Sequence, residues 1–274
     1  MYSVLMSLYS GEKSSNLKQS IDSILNQTAP PDQIVVVKDG PLTAELENTL
    51  MTYCSSFPRI FDLVVLEENS GLGAALREGV LACKNEWIAR MDTDDIAVNT
   101  RMETQLSYLK EHPRLDMLGS LYYEFFDDIS NHVLRDSAHT HDDLVKFMHR
   151  RNPFGHDTLF LRKSMVLKAG NYRPVNRFED YDLWIRMVQC GVKMYNLEQP
   201  LLYVRSNRDY FARRGGFAYL KSNISFFLRH HRTGFFTVKD CIFSLIPRCV
   251  VCLMPNGLRS FIYKNFLRNN ELEA

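Results

Sequence analysis

Four short apolar runs, each followed by a stretch of helical periodicity, constrain the fold of this chain more than any other feature. Residues 3–8, 33–38, 61–66 and 87–91 have the length of strands, and Ile34 to Val37 is β-branched throughout, as in a strand covered on both faces. Between them, apolar residues recur at helical spacing: Leu17, Ile21, Ile24 and Leu25, then Leu46, Leu50 and Tyr53, then Leu72, Ala75, Leu76 and Val80. Ser14 or Ser15 is expected to cap the first helix, and Pro30-Pro31 to end it. Strand and helix alternate over about the first 95 residues, which predicts an α/β domain with a doubly wound, mostly parallel sheet flanked by helices. Open sheets of this kind bind ligands beyond the carboxyl ends of their strands.

The run from Trp87 to Met91 ends in three carboxylates, Asp92, Asp94 and Asp95, within four residues. Such groups repel one another and need a countercharge. Mg²⁺ or Mn²⁺ supplies one, because hard cations prefer oxygen ligands and leave positions for phosphate. An acidic turn in solvent has the same composition. No Gly-x-Gly-x-x-Gly follows the first strand and no Gly-Lys-Ser/Thr loop is present, so neither a dinucleotide site nor a phosphate-cradling loop is supported. A net charge of +1 gives no argument for nucleic acid. Six scattered cysteines make no metal framework; Cys249 and Cys252 sit in an apolar run without a second pair, and a reducing, cytosolic compartment is expected. The N-terminus lacks the pattern of a signal peptide, and no uninterrupted apolar stretch reaches the length of a spanning helix.

Further along, Met102, Leu106 and Leu109 predict a helix stopped at Pro113, and residues 117–126 a long strand. Residues 127–143 are expected to be loop, and His139 and His141 to be surface residues. A short helix over 144–148, a turn at 152–156 and a strand over 158–161 follow. Glu179, Asp180 and Asp182 open a helix with Leu183, Met187 and Cys190 inward and Gly191 at its end. Acids in a first turn complement the helix dipole; alternatively, Asp180 faces the same cleft as Asp94 and acts as a general base. Arg205, Arg208, Arg213 and Arg214 fall within ten residues, either as a solvated patch or as the countercharge of a diphosphate. From Arg229 onward, seven Lys/Arg and three Asp/Glu are spread among apolar residues. That pattern suits a helical segment lying in a lipid interface, or a helical pair packed on the domain before it.

With these pieces in order the chain resembles the family 2 inverting glycosyltransferases of the GT-A fold, and more narrowly the bacterial members that build O-antigen and exopolysaccharide units. The resemblance covers about residues 2 to 215 and rests on Ser3 to Tyr9, Gln33 to Gly40, Asn69-Ser-Gly71, Met91 to Asp95 and Phe178 to Trp184. It implies that Asp39 receives the nucleotide base, typically uracil, and that Ser7 and Tyr9 line the nucleotide pocket. Asp92 would meet the ribose or the metal shell, Asp94 would ligate Mn²⁺ or Mg²⁺, and Arg213 and Arg214 would hold the diphosphate. Asp180 would be the catalytic base with Glu179 beside it, and Trp184 would help form the acceptor floor. Asn69, Arg77, Thr93 and His156 are also expected at the substrate. Two departures stand out: Lys38-Asp39-Gly40 where the family often has Asp-Asp-Gly, and Arg205-Ser-Asn207 where many members place a histidine near the metal.

The implied organisation is a catalytic domain over 1–215, with a nucleotide half (1–95) and an acceptor half (96–215), and a C-terminal helical, apolar-basic appendage over 216–274. The implied partners are a nucleotide-sugar donor, a lipid-diphosphate-linked saccharide acceptor and the inner face of the cell membrane, with no nucleic acid. A nucleotidyltransferase would need more glycine after the first strand than Tyr9 to Lys13 offers, and an inactive sugar-binding or envelope-assembly subunit would not need Asp92, Asp94 and Asp180.

Overall fold

The computed structural model describes residues 1–206 and 216–253. The alternation of the first half is realised as β1 (Tyr2–Leu8), α1 (Ser14–Leu25), β2 (Gln33–Asp39), α2 (Ala44–Ser56), β3 (Phe61–Leu66), α3 (Leu72–Ala82) and β4 (Trp87–Arg90). These four strands pair in parallel in the order β3-β2-β1-β4. Registers such as Ser7 with Val37 and Leu5 with Arg90 bring their carboxyl ends to one edge of the sheet. The second half adds β5 (Ile96–Ala97), α4 (Arg101–Glu111), β6 (Met117–Phe125), β7 (His132–Arg135) and α5 (His141–Met148). After these come a 3-10 turn (His156–Thr158), β8 (Phe160–Arg162), α6 (Lys163–Lys168), α7 (Glu179–Gln189) and β9 (Met194–Arg205). β8 joins antiparallel to β4, and β6, β9 and β5 continue the sheet.

Two expectations are corrected. The α1 cap is Lys13 without a side-chain bond, because the Ser14 hydroxyl pairs with Thr49 Oγ1 of α2 at 2.8 Å. Residues 127–143 are not all loop: His132–Arg135 pair antiparallel with β6 as a hairpin strand, and α5 begins at His141.

The apolar faces of the helices close two clusters on opposite sides of the sheet. One holds Leu17, Ile21, Ile24, Leu46, Leu50 and Met102 of α1, α2 and α4, and the other gathers Ala75, Leu76, Val80, Leu183, Trp184 and Met187 of α3 and α7. The second cluster runs past residue 216. Phe226, Phe227 and Phe236 are buried in it, from α8 (Phe217–Arg232) and the turn before α9 (Val238–Leu253). Phe226 stacks on Phe178 at 4.6 Å and tilts against Tyr181 at 4.8 Å. The expected boundary at 215/216 is therefore not a break in packing. α8 presses its aromatic stripe into the same core as α7.

An ionic knot fastens that junction. Asp182 of α7, fully buried, accepts from Arg186 Nε at 2.9 Å and lies 3.0 Å from His230 Nε2 of α8. Arg186 also donates to the carbonyls of Ala169 and Asn171. Burial alone would push the Asp182 carboxyl up, but the His230 hydrogen bond and the Arg186 charge hold it below the ordinary range. Asp182→Ala leaves Arg186 buried without its counterion, so a loss of about 3–5 kcal/mol is expected in denaturant unfolding. This contribution is present above the ordinary carboxyl range and is lost as pH falls. An unfolding midpoint unchanged at neutral pH would refute it.

Candidate active site

The sheet edge where β1, β2 and β4 end carries most of the acids singled out in the sequence. Beyond β4 the chain turns at once. Met91 N–H still bonds Leu5 O at 3.1 Å, while Thr93 Oγ1 reaches Ser7 O at 3.4 Å, so Ser7 and Thr93 are neighbours. Ser20 Oγ of α1 donates to Asp92 O at 2.8 Å, fixing the turn from below. Ligand oxygens of Asp92, Asp94 and Asp95 lie within 4.8 Å of one another. The three are not equivalent. Asp92 is half-exposed, and one oxygen accepts from Arg90 Nη2 at 2.5 Å. Asp95 is buried; Oδ1 accepts the Arg205 backbone N–H at 2.8 Å, and burial together with facing Asp157 holds it far above the usual carboxylate range. Burial raises Asp157 too, so a proton shared by this pair relieves their repulsion. Asp94 remains free to ligate. Burial, then Asp92, Glu12 and Asp157, push its carboxyl up to about 7. An all-oxygen set with Asp94 and the open edge of Asp92 as ligands fits a hard divalent cation.

Arg90 makes this concentration of acid tolerable. Its side chain is fully buried under the turn. Burial pulls its pKa down, but Asp92 more than offsets that, so it stays charged. Nε and Nη1 have no partner among the described residues, which leaves Asp92 as its one bonded acid. The field of Arg90 also reaches Asp157, Glu179 and Asp180, so the acids at the end of β4 and at the start of α7 lie around one buried charge. Arg101 supports it from behind, donating from Nη2 to Arg90 O at 2.9 Å.

The second acid pair opens α7. Asp180 Oδ1 accepts Tyr181 N–H at 2.7 Å, and Oδ2 accepts Asn152 Nδ2 at 2.6 Å. Burial raises Asp180 despite those donors, and burial with the Asp180 charge raises Glu179 to about 7. Close packing sets this position: a Cβ on Gly73 of α3 would stand 2.4 Å from Arg173 O and 3.1 Å from Glu179 Cβ. Trp184 lies one turn further on and is fully buried, edge-on to His156 and Tyr172. His156 Nε2 sits 2.8 Å from Tyr172 Oη, and burial and the Arg90 charge keep its ring neutral.

Asp39, at the end of β2, is also buried. Its two oxygens accept the N–H groups of Ser70 (2.7 Å) and Gly71 (3.1 Å), while Asn69 Nδ2 donates to its carbonyl. Gly40, at φ +85°, lets the two loops touch, since a Cβ there would lie 2.6 Å from Asn69 N. Tyr9 is 46% exposed beside Gly11, at the mouth of the edge. Arg77 stands apart: it is exposed on α3, 3.9 Å from Glu78. Arg213 and Arg214, together with Asn207 and Arg208, lie outside the described residues. Arg205 clamps the acidic turn, donating from Nε to Asp94 O (3.0 Å) and from Nη2 to Gln19 Oε1 (2.8 Å), with its guanidinium over Phe125. His139, set aside in the sequence, bonds Asn196 O at 3.0 Å.

Sequence reasoning missed Asp157, Arg90 and Asn152. Arg90 had a signal, a charge inside an otherwise apolar strand just before three acids. Asp157 and Asn152 had none, because their partners lie 62 and 28 positions away.

Comparisons agree with this architecture. The model of "Glycosyl transferase family 2" matches residues 3–170. The chain is 36% identical over 267 residues to the amylovoran biosynthesis glycosyltransferase AmsE of Erwinia amylovora, covering 96% of this chain and 98% of that protein. It is 30% identical to an Escherichia coli UDP-Gal:alpha-D-GlcNAc-diphosphoundecaprenol beta-1,3-galactosyltransferase, covering 97% and 96%. Among solved structures, a mannosyltransferase from Pyrobaculum calidifontis in complex with GDP-Man and Mn²⁺ superposes with a TM-score of 0.64 at 14% identity, covering 100% of this chain and 75% of that one. S. aureus TarS 1-349 in complex with UDP-GlcNAc gives 0.63 at 12% identity, covering 100% and 73%.

Proposed function

We propose, for a chain that belongs to glycosyl transferase family 2 and has the GT-A fold, that it moves a hexose from a UDP-linked donor to a saccharide carried on a lipid diphosphate. The setting is O-antigen or exopolysaccharide synthesis. The observation that carries this reading is the pair of acid groups around Arg90, one able to hold a cation and one buried with raised carboxyls. Asp180, with Glu179 beside it, takes the proton of the acceptor hydroxyl as that oxygen attacks the anomeric carbon. A single displacement inverts configuration, so an α-linked donor gives a β-linked product. Asp94 and Asp92 would hold Mn²⁺ or Mg²⁺, and a bound cation supplies charge at the leaving diphosphate. Asp39, Ser7, Thr93, Tyr9 and Asn69 form the nucleotide side of the cleft. His156 belongs to the acceptor side, backed by Trp184. Arg213 and Arg214 add countercharge, and Arg77, exposed on α3, meets the substrate from outside the acidic edge.

The acceptor class places the work at the inner face of the cell membrane. No helix among the described residues is long and apolar enough to cross a membrane. α9 nevertheless exposes Ile242, Phe243, Ile246 and Val250, with Phe243 71% accessible, beside Lys239. An apolar stripe with basic neighbours suits an interfacial seat, in which each Lys or Arg contributes about 1 kcal/mol on an anionic surface.

One experiment tests the whole reading. Purified protein, Mn²⁺ and a panel of nucleotide sugars are mixed with anionic vesicles bearing a lipid-diphosphate saccharide. The protein is expected to sediment with the vesicles at low salt and to extend the saccharide by one β-linked hexose. Failure to sediment removes the membrane seat, and failure to extend the saccharide with any donor removes the transferase reading.

A further inference from the structure

The turn after α5, residues 149–152, is held from two sides. On the α7 side, Tyr181 Oη donates to Met148 O, and Asn152 Nδ2 donates to Asp180 Oδ2 at 2.6 Å. On the α9 side there are three contacts. Asp240 Oδ2 lies 3.0 Å from His149 Nδ1, Ser244 Oγ donates to His149 O at 3.4 Å, and Arg248 Nη2 donates to Arg150 O at 2.9 Å. These groups are themselves fixed. Arg248 Nη1 donates to Ser244 O, and its guanidinium lies over the Phe227 ring at 5.0 Å. Asp240 accepts Thr237 N–H at the start of α9, and His149 stacks on Phe235 at 4.9 Å.

We propose that α9 braces the catalytic base. Asp240 and Arg248 act as positioning residues which, through the turn at 149–152, fix Asn152 and with it the Asp180 carboxylate. The inference rests on reading Asp180 as the base. Tyr181 N–H and Asn152 Nδ2 each bond one of its oxygens and together stop the carboxylate from rotating. The Asn152 amide is oriented in turn, because its oxygen accepts Phe154 N–H at 3.3 Å. What remains to be fixed is where the turn stands. Its local bonds, from Arg150 and Arg151 N–H to Phe147 O, leave the carbonyls of His149 and Arg150 to α9. A helix that served only to hold lipid would need its outer stripe alone. α9 also directs Asp240, Ser244 and Arg248 into the turn that carries Asn152, so the helix that exposes Ile242, Phe243, Ile246 and Val250 on its outer side is mechanically joined to the base.

The test uses the full chain, a short water-soluble acceptor and no vesicles, so that tethering plays no part. Arg248→Met keeps the apolar stem over Phe227 and loses the donor to Arg150 O, and Asp240→Ala releases His149. Each is expected to lower kcat by about 10-fold to 100-fold, as for a small displacement of a reacting group, with the donor KM changed by less than about 2-fold. Arg248→Met combined with Asn152→Ala should cost little more than Asn152→Ala alone, because both act through one bond. Amide exchange at 149–152 should quicken in Arg248→Met. Unchanged kcat in both single variants, or losses that add fully with Asn152→Ala, would overturn the brace. A failure of the base reading is seen separately: Asp180→Asn would then keep its rate, and the brace would stand or fall on the amide exchange of the turn.

Discussion

Asp180→Asn is expected to lower the rate of sugar transfer by about 10²–10⁴-fold while donor affinity changes little. The amide keeps the shape of the carboxylate but cannot take the acceptor proton. Tyr181 N–H and Asn152 Nδ2 both donate to the wild-type side chain, so the new amide keeps one of these bonds through its oxygen and turns its NH2 toward the other donor. An unfolding midpoint is measured beside the rate to separate that local cost from loss of the base. The wild-type pH profile carries the same information. A base works when ionised, and burial raises Asp180 and takes Glu179 to about 7. Activity should therefore fall as pH drops through a range above that of ordinary carboxylates, with apparent values that belong to the pair. In the variant this acid limb should flatten. Single-turnover rates with saturating donor, alongside titration of the donor alone, make the measurement. Transfer at the original rate would leave Asp180 as a helix-end acid that only complements the dipole.

Asp94→Ala is expected to abolish metal-dependent transfer and, with it, the stabilisation that Mn²⁺ gives the folded protein. In the wild type, a ligand at 100 times its dissociation constant stabilises the fold by about 2.7 kcal/mol. Asp94 is where most of that response should originate, since Arg90 occupies one oxygen of Asp92, and Asp95 is buried, bonded to the Arg205 N–H and held far above the ordinary carboxylate range. The metal-free protein should move the other way. Folding raises the Asp94 carboxyl to about 7, so the folded state holds a proton that the unfolded chain releases near pH 4. Stability of the metal-free wild type should decline as pH rises between those values, and Asp94→Ala should make that decline shallower, leaving the part due to the other raised carboxyls, Asp95, Asp157, Glu179 and Asp180. Thermal unfolding with and without Mn²⁺, read beside transfer, separates the outcomes. Full activity in excess chelator, or a wild-type Mn²⁺ shift retained by the variant, would sink the assignment.

Much of this was legible because it is local. Alternating periodicities wrote the first seven elements into the sequence, since a buried strand and an amphipathic helix each repeat within a few residues. Asp92, Asp94, Asp95 and Asp180 stood out because acids at element ends are conspicuous against apolar runs. The hairpin strand at His132–Arg135 was not legible. It is short and exposed, with only Val133 and Leu134 apolar, so it repeats no pattern long enough to notice. The cap on α1 failed for a related reason: Ser14 had the right chemistry, but Thr49 on another helix took its hydroxyl.

The sequence by itself therefore determined the order of the first seven elements, the parallel half of the sheet and the edge where acids gather. Tertiary structure alone decided how that edge is balanced and aimed. Arg90 carries the charge beneath the acids, and Asp157, from 62 positions beyond Asp95, helps hold that carboxyl above the ordinary range. Asn152 comes from a turn that α9 holds in place through Arg248, 98 positions from Arg150. The physical reason is range. Secondary structure follows from neighbours along the chain. The pKa of a carboxylate and the direction in which it points depend on buried charges and single hydrogen bonds, which only the closed fold brings within a few ångströms.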